Sequence, residues 1–544
     1  MAWYFKEMIM LRALTVAMLF AVPAVAQEHQ HGAAPAEKLG TVRFATSCNA
    51  EAQPSFGRAM ALLHSFEFAK AIEGFSAALK ADPSCAIAEW GIAMSRWSNP
   101  FAIGMRPAAQ LQTGLDAVTH AKAIGAKTER ERAYVGAVSR LYTDFDKIDQ
   151  RSRVLAYRDA MAAVAATYPN DIEASIFYAL ALTASEEPND KTYASRLKAG
   201  AILEKLLPDH PDHPGLAHYI IHSYDVPALA PQALDAARRY AKIAPSAPHA
   251  LHMPSHTFTR VGYWQDSIDT NIASAAAARR DGLTAEELHA SDYQVYAYLQ
   301  TAQDAAAKRV LDSLAEINAR LNPNAIGGAA SGSAGVFAMA AIPARYALER
   351  RAWAEAAKLE PRSTRLPYAD ALTHFARALG AAHTGDLATA RSAIDALQQI
   401  RDRLAQANEG YWAEQVDIQR RGAVAWLALT EGRKTDALAE MRAAADAEDK
   451  TEKSAITPGP IAPARELLGE MLLELKEPAQ ALKEFQATLT KEPNRFRALY
   501  GAAHAAKLAG DAAQAQKYAG QLLKICERAD TPGRPELVEL RRGT

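Results

Sequence analysis

The chain has 544 residues, with 61 Lys and Arg against 62 Asp and Glu, and 49% of its residues are hydrophobic. A formal charge of −1 provides no basic surface of the kind that neutralises a phosphate backbone, which sets nucleic acid aside as a partner. Three cysteines in a chain of this length exclude a small disulfide-stapled fold.

At the N-terminus, Lys6 and Arg12 precede the apolar run from Ala13 to Val22, which closes in Ala24-Val25-Ala26. That is the layout of a cleavable secretory signal, so residues 1–26 read as a signal peptide, with cleavage before Gln27 and a periplasmic or secreted product. No later segment approaches the roughly 18 unbroken apolar residues of a membrane span. Residues 27–43 read as a flexible leader. Its Glu28 to His31 is either a mobile binder of copper or zinc or simply a disordered tail. Cys48 and Cys85 lie before the first and the second helix pair. An oxidising compartment would let them bond and leave Cys526 over, with geometry deciding.

From residue 44 the chain repeats itself. ALLHSFEFAKAIEGFSAALKADP carries Ala71, Phe75 and Ala78 at helical spacing and stops at Asp82-Pro83, and CAIAEWGIAMS opens the next unit. Further units surround LAHYIIHSYD, HMPSHTFTRVGYWQDSI, THFARALGAAHTGDLATA and VAWLALTEGRKTDALAEM. The clearest copy, PARELLGEMLLELKEPAQALKEFQATLTKEPN, ends at Asn494. Gly469 and Ala481 let its two helices approach, Leu468, Leu472 and Phe485 fill the space between them, and Pro493 stops the second. The next copy turns at Gly510-Asp511. Alanine is abundant and β-branched alternation scarce, so the expected class is all-α. The units resemble tetratricopeptide repeats, which implies a right-handed superhelical solenoid of helix-turn-helix pairs. At roughly 34 residues per repeat the chain after the signal peptide has room for about fifteen, some degenerate.

One stretch, NPNAIGGAASGSAG from Asn322 to Gly335, breaks the pattern. It divides the chain into an N-terminal array over 44–321, a Gly/Ser-rich linker or groove-covering loop over 322–336, a C-terminal array over 337–530 and a tail over 531–544. A second break, ITPGPIAP from Ile456 to Pro463, precedes the clearest repeat.

The histidines carry the chemical signal. LAHYIIHSYD holds His218 and His222, and ALHMPSHTF holds His252 and His256. Each pair has i, i+4 spacing, which puts both imidazoles on one helix face. The two pairs lie 34 residues apart, one repeat period, and so occupy equivalent places on successive first helices, which line the concave face of such solenoids. Adjacent helices roughly 8–10 Å apart can direct two side chains to a common ion. Asp225 and His249 flank the pairs, and Glu286, His289 and Asp292 fall one period on. Imidazoles with carboxylates and no nearby cysteine suit zinc, copper or iron. Pro254 inside HMPSH kinks the second helix or starts it. In the second case His252 leaves the common face. His64, Glu67 and Glu89 sit at ordinary repeat positions and read as packing.

Together, LLHSFEFAKAIEGFSAAL, DPSCAIAEWGIAMS, APHALHMPSHTFTRVGYW and SAITPGPIAPARELLGEMLLEL resemble a group of exported bacterial tetratricopeptide-repeat proteins. The resemblance implies fold and compartment, and proteins with such repeats hold peptides or partner proteins in the groove. Three functions follow. The first is metal binding or handling at His218, His222, His252 and His256. The second is a pure interaction scaffold whose histidines recognise peptide. The third is a metal-dependent hydrolase or oxidoreductase using Glu286, Asp225 or Asp292 as base. HMPSH lacks the glutamate of an HExxH protease, and the sequence contains no nucleophile elbow or phosphate-binding glycine loop. Unperturbed imidazoles would surrender metal below about pH 6.

Overall fold

The computed structural model describes residues 37–102, 104–187, 190–322 and 327–543. The signal peptide and residues 27–36 of the leader lie outside the described residues. Residues 38–544 form one compact unit. The described residues are helices joined by short turns, with no strand among them, and none of these helices is long and apolar enough to cross a membrane.

Each repeat is an antiparallel helix pair, and the clearest copy shows why. Its helices are Ala464–Glu474 and Pro478–Lys491, followed by Phe496–Leu508 and Ala512–Ile525. Phe485 is fully buried between the first helices of successive units. A Cβ on Gly469 would stand 2.9 Å from its ring, and one on Gly501 would overlap it. Glycine at both places lets the helices close on a phenyl ring that neither could otherwise face. The turn at Gly510 requires φ +83°, a conformation cheap for glycine, and the Asp511 side chain then accepts from the Gln514 N–H to cap the last helix of the pair.

Three boundaries differ from the sequence reading. Residues 38–43 are held in place rather than flexible: Lys38 and Ser246 exchange hydrogen bonds, Thr41 N–H donates to Asp212 O, and Leu39 is buried. A helix resumes at Gly332 and runs to Glu349, inside the stretch read as loop. Residues 535–543 form a helix rather than a tail, with Leu537 buried and Arg534 paired with Asp304. Cys48 and Cys85 form a disulfide with Cα atoms 4.8 Å apart, while Cys526 is a buried thiol pushed up to about 12 by burial.

The solenoid also contacts itself far along the chain. Trp264 Nε1 donates to Asn494 O at 2.7 Å, and Tyr193 OH donates to Glu452 at 2.9 Å. The segment 451–463, which contains the break from Ile456 to Pro463, crosses the histidine-bearing helices as a strap. Arg345, fully buried, fixes it by donating to Thr457 Oγ1, Gly459 O and Pro460 O while pairing with Asp292 at 2.8 Å.

Candidate metal centre

The histidines come from four short elements: Pro214–Ser223 supplies His218 and His222, Pro248–His252 supplies His249 and His252, Pro254–Arg260 supplies His256, and Thr284–Gln300 supplies His289. Pro254 splits one helix into two pieces, yet Met253 between them keeps helical dihedrals of −55° and −35°. His252 therefore stays on the face it shares with His256. Ser246 does not cap this helix. The N-cap is Ala247, and the Ser246 hydroxyl takes the Lys38 N–H instead.

The six imidazoles form two sets: His218, His222 and His249, and His252, His256 and His289. In each set the three ligand atoms lie within 4.8 Å of one another. Each set is one i, i+4 pair completed by a histidine from the next repeat. His249 and His289, flanking residues in the sequence, are full members here. All six residues are 6% exposed or less.

The geometry fixes tautomers at three of the six. Asn271 Nδ2 donates to Ser267 O at 2.7 Å, so its Oδ1 faces His252 Nδ1 at 2.6 Å and can only accept. The Asp225 carboxylate, which takes Arg260 Nε at 2.9 Å and has Lys453 Nζ at 3.6 Å, faces His256 Nδ1 at 2.9 Å. Both rings must carry their proton on Nδ1. Their Nε2 lone pairs then face each other at 3.1 Å. Two acceptors at that distance repel unless a cation sits between them. In the other set His218 Nδ1 donates to His64 O at 2.6 Å, freeing a lone pair on Nε2 that stands 3.2 Å from His249 Nε2.

A proton is a poor choice for that cation. Burial, then repulsion among neighbouring rings, holds His218, His222, His252 and His289 well below the usual imidazole range. Burial takes His256 down to about 4 against the pull of Asp225. The expected loss of metal below about pH 6 therefore does not carry over, since buried rings resist protons further into acid. A metal fits the spacing: tetrahedral ligands about 2.05 Å from zinc or a similar ion lie about 3.3 Å apart. Buried atoms without a hydrogen-bond partner among the described residues cluster here as well: His222 Nε2, His249 Nδ1, His289 Nδ1 and Glu286 Oε2.

The three carboxylates do not join the ligand sets. Asp225 orients His256 from behind, as carboxylates behind metal-bound histidines do. Burial alone would raise its carboxyl; Lys453, Arg260 and His256 outweigh that and hold it well below the usual range. Glu286 accepts the Ala330 N–H at 2.6 Å, and its other oxygen lies 3.9 Å from His249 Nδ1. Asp292 is taken by Arg345. Sequence reading missed Asn271, on the second helix of its repeat, and Tyr293, whose hydroxyl lies 3.3 Å from His256 Nε2. Asn271 gives no signal in the first-helix pattern. Tyr293 lies four residues after His289 and shares its face.

His64 and Glu67 do more than fill repeat positions. His64 Nε2 and His213 Nε2 each lie 2.9 Å from an oxygen of Glu173, and His64 Nδ1 lies 3.1 Å from Tyr219 OH. These three residues also lie close enough to hold an ion. Here, however, the short contacts join imidazole to carboxylate or hydroxyl, complementary groups that need no cation between them, and in this trio only the far nitrogen of His213, Nδ1, lacks a partner among the described residues. Glu67, buried near His249, is pushed up to about 8 by burial and then by Glu286. Glu89 is held apart, with His120 at 3.6 Å.

Ala329 to Ser331 and Ser454 to Ile456 of the strap both approach the histidines. Between them is a cavity of about 40 Å³.

No protein-family model and no curated protein sequence matches the chain. Among solved structures it is similar to the human IFIT1 dimer with m7Gppp-AAAA at 12% identity, covering 88% of this chain and 96% of that one with a TM-score of 0.40. It is also similar to the APC/C hetero-tetramer Cut9-Hcn1 at 13% identity, covering 92% and 77% with a TM-score of 0.36. Likenesses this weak carry no argument about the fold or the site.

Proposed function

We propose that this protein is an exported metal-binding solenoid whose buried cluster of His218, His222, His249, His252, His256 and His289 holds zinc, copper or iron. The observation that carries the reading is the pair of Nε2 lone pairs on His252 and His256, 3.1 Å apart, with both Nδ1 atoms committed as donors. Orphaned nitrogens on His222, His249 and His289 support it. Imidazole-only ligand sets suit copper, zinc and iron, and copper binds most tightly of the three in a given nitrogen site. Export rests on the N-terminal pattern and is supported by the Cys48–Cys85 disulfide, a bond that persists in oxidising compartments. A peptide scaffold acting through these histidines is disfavoured, because the chain's own strap covers them.

The test is metal content of protein purified from its native compartment without a histidine tag. Stoichiometric copper, zinc or iron, lost in the His222→Ala/His256→Ala double variant with helicity retained, is the expected result. Metal-free protein that takes up none on titration would remove the assignment and return the scaffold reading.

A further inference from the structure

The two histidine sets are not separated from each other. Ring centroids within a set lie 4.5–6.4 Å apart. Across the sets, His249 and His252 lie 6.0 Å apart, as do His222 and His256. Ions held by the two sets would be immediate neighbours.

Each set supplies three protein ligands, one fewer than the four a closed structural site uses, and three-histidine sites keep a position for an outside ligand. Of the neighbouring carboxylates, Asp225 is engaged by His256, Arg260 and Lys453 and one oxygen of Asp292 by Arg345, while Glu286 Oε2 stays unpartnered among the described residues, 3.9 Å from His249 Nδ1. The cavity of about 40 Å³ touches both sets, bordered by His222 and His249 of one and His256 and His289 of the other. At roughly 10–15 Å³ per molecule it has room for about three or four water-sized molecules, and for nothing the size of a metabolite. Two positive ions in a small cavity lined by imidazoles and uncharged side chains, with no Asp or Glu among the described residues bordering it, favour an anion or a polarisable diatomic between them.

Resting on the metal reading above, we propose that the two sets form a single binuclear centre whose open positions meet in this cavity. Its outside ligand is a small anion or diatomic molecule shared by both ions, such as hydroxide, dioxygen or azide.

Copper and azide test this. Metal-free protein is titrated with Cu(II) and followed by electron paramagnetic resonance, then by absorption on adding sodium azide. Two coppers per chain are expected, with the isolated-ion signal of the first equivalent broadened or lost as the second enters, and with a new azide-to-copper charge-transfer band. His289→Ala should bind one copper with an ordinary mononuclear signal. His249→Gln, on the other set, should do the same and guards against misfolding of a single variant, with helicity checked by circular dichroism. One copper per chain, or two with full uncoupled intensity, overturns the shared centre. An unchanged spectrum on azide addition overturns the open position. No copper uptake at all, or uptake unaltered by His252→Ala, overturns the metal reading itself.

Discussion

At the scale of single residues, the i, i+4 pairs and their repeat spacing are legible in the sequence because a helix places such positions on one face. Which nitrogen of each ring points inward is not, since that depends on partners the helix period does not specify. Asp225 reaches His256 from just beyond the end of the preceding histidine helix, and Asn271 reaches His252 from the second helix of the same repeat. Both carry consequences. Asp225→Asn should weaken metal affinity by about 10–100-fold, the usual result of removing a carboxylate behind a ligand. It should also destabilise the metal-free fold by about 3–5 kcal/mol, because Arg260 and Lys453 are left with a buried neutral amide. A chelator-competition titration and a urea melt read the two effects separately. An Asp225→Asn protein with unchanged affinity would place the ion elsewhere.

His383 shows a different use of a buried imidazole. It stacks on Trp353 at 3.8 Å and meets the tilted ring of Trp426 at 4.2 Å, and burial followed by Arg351 takes it down to about 3. Its unfolded value is near 6.5. The folded value is the lower one, so its contribution to stability is full above about pH 6.5 and is lost as pH falls toward 3. His383→Leu should flatten the fall of the urea midpoint between those pH values. A variant with the same acid slope as the parent would show that other groups govern it.

At the scale of elements, the helix pairs follow from local sequence. Gly469, Phe485 and Gly501 specify the approach of helices that are neighbours in the chain. The strap is visible in sequence as a run of prolines and glycine before the clearest repeat, but its destination is not. It meets Tyr293 and Arg345, more than a hundred residues earlier, through contacts that no local pattern encodes. Arg345 fixes that strap from below. Arg345→Met removes its charged hydrogen bonds to Thr457, Gly459 and Pro460 and should let the strap open more often. Metal release to a chelator should then speed up by on the order of tenfold, equivalent to about 1.4 kcal/mol of lost strap stability. Stoichiometry should stay the same. An unchanged release rate would mean that ions leave by another route.

At the scale of the whole molecule, repeat proteins are quasi-linear, each unit resting on its neighbours, and a sequence read repeat by repeat predicts an open concave face. This chain departs from that plan. Trp264 and Gly262 bond Asn494, and Lys191 and Tyr193 bond Glu452, so the solenoid closes on itself over the histidines. What the repeat period displays as a groove becomes an interior, and the same side chains that would greet a peptide in an open groove become a buried, three-plus-three set of imidazoles. Fold class and the histidines that share a helix face are therefore readable, whereas enclosure is not, because it is set by contacts between residues more than 200 positions apart.

The most direct measurement of the central claim is an anomalous difference map from crystals of the protein loaded with copper, collected at the copper edge. The account predicts a peak between His252 Nε2 and His256 Nε2, with a second beside His218 and His249. Density at surface or N-terminal histidines alone, with none inside the cluster, would contradict it.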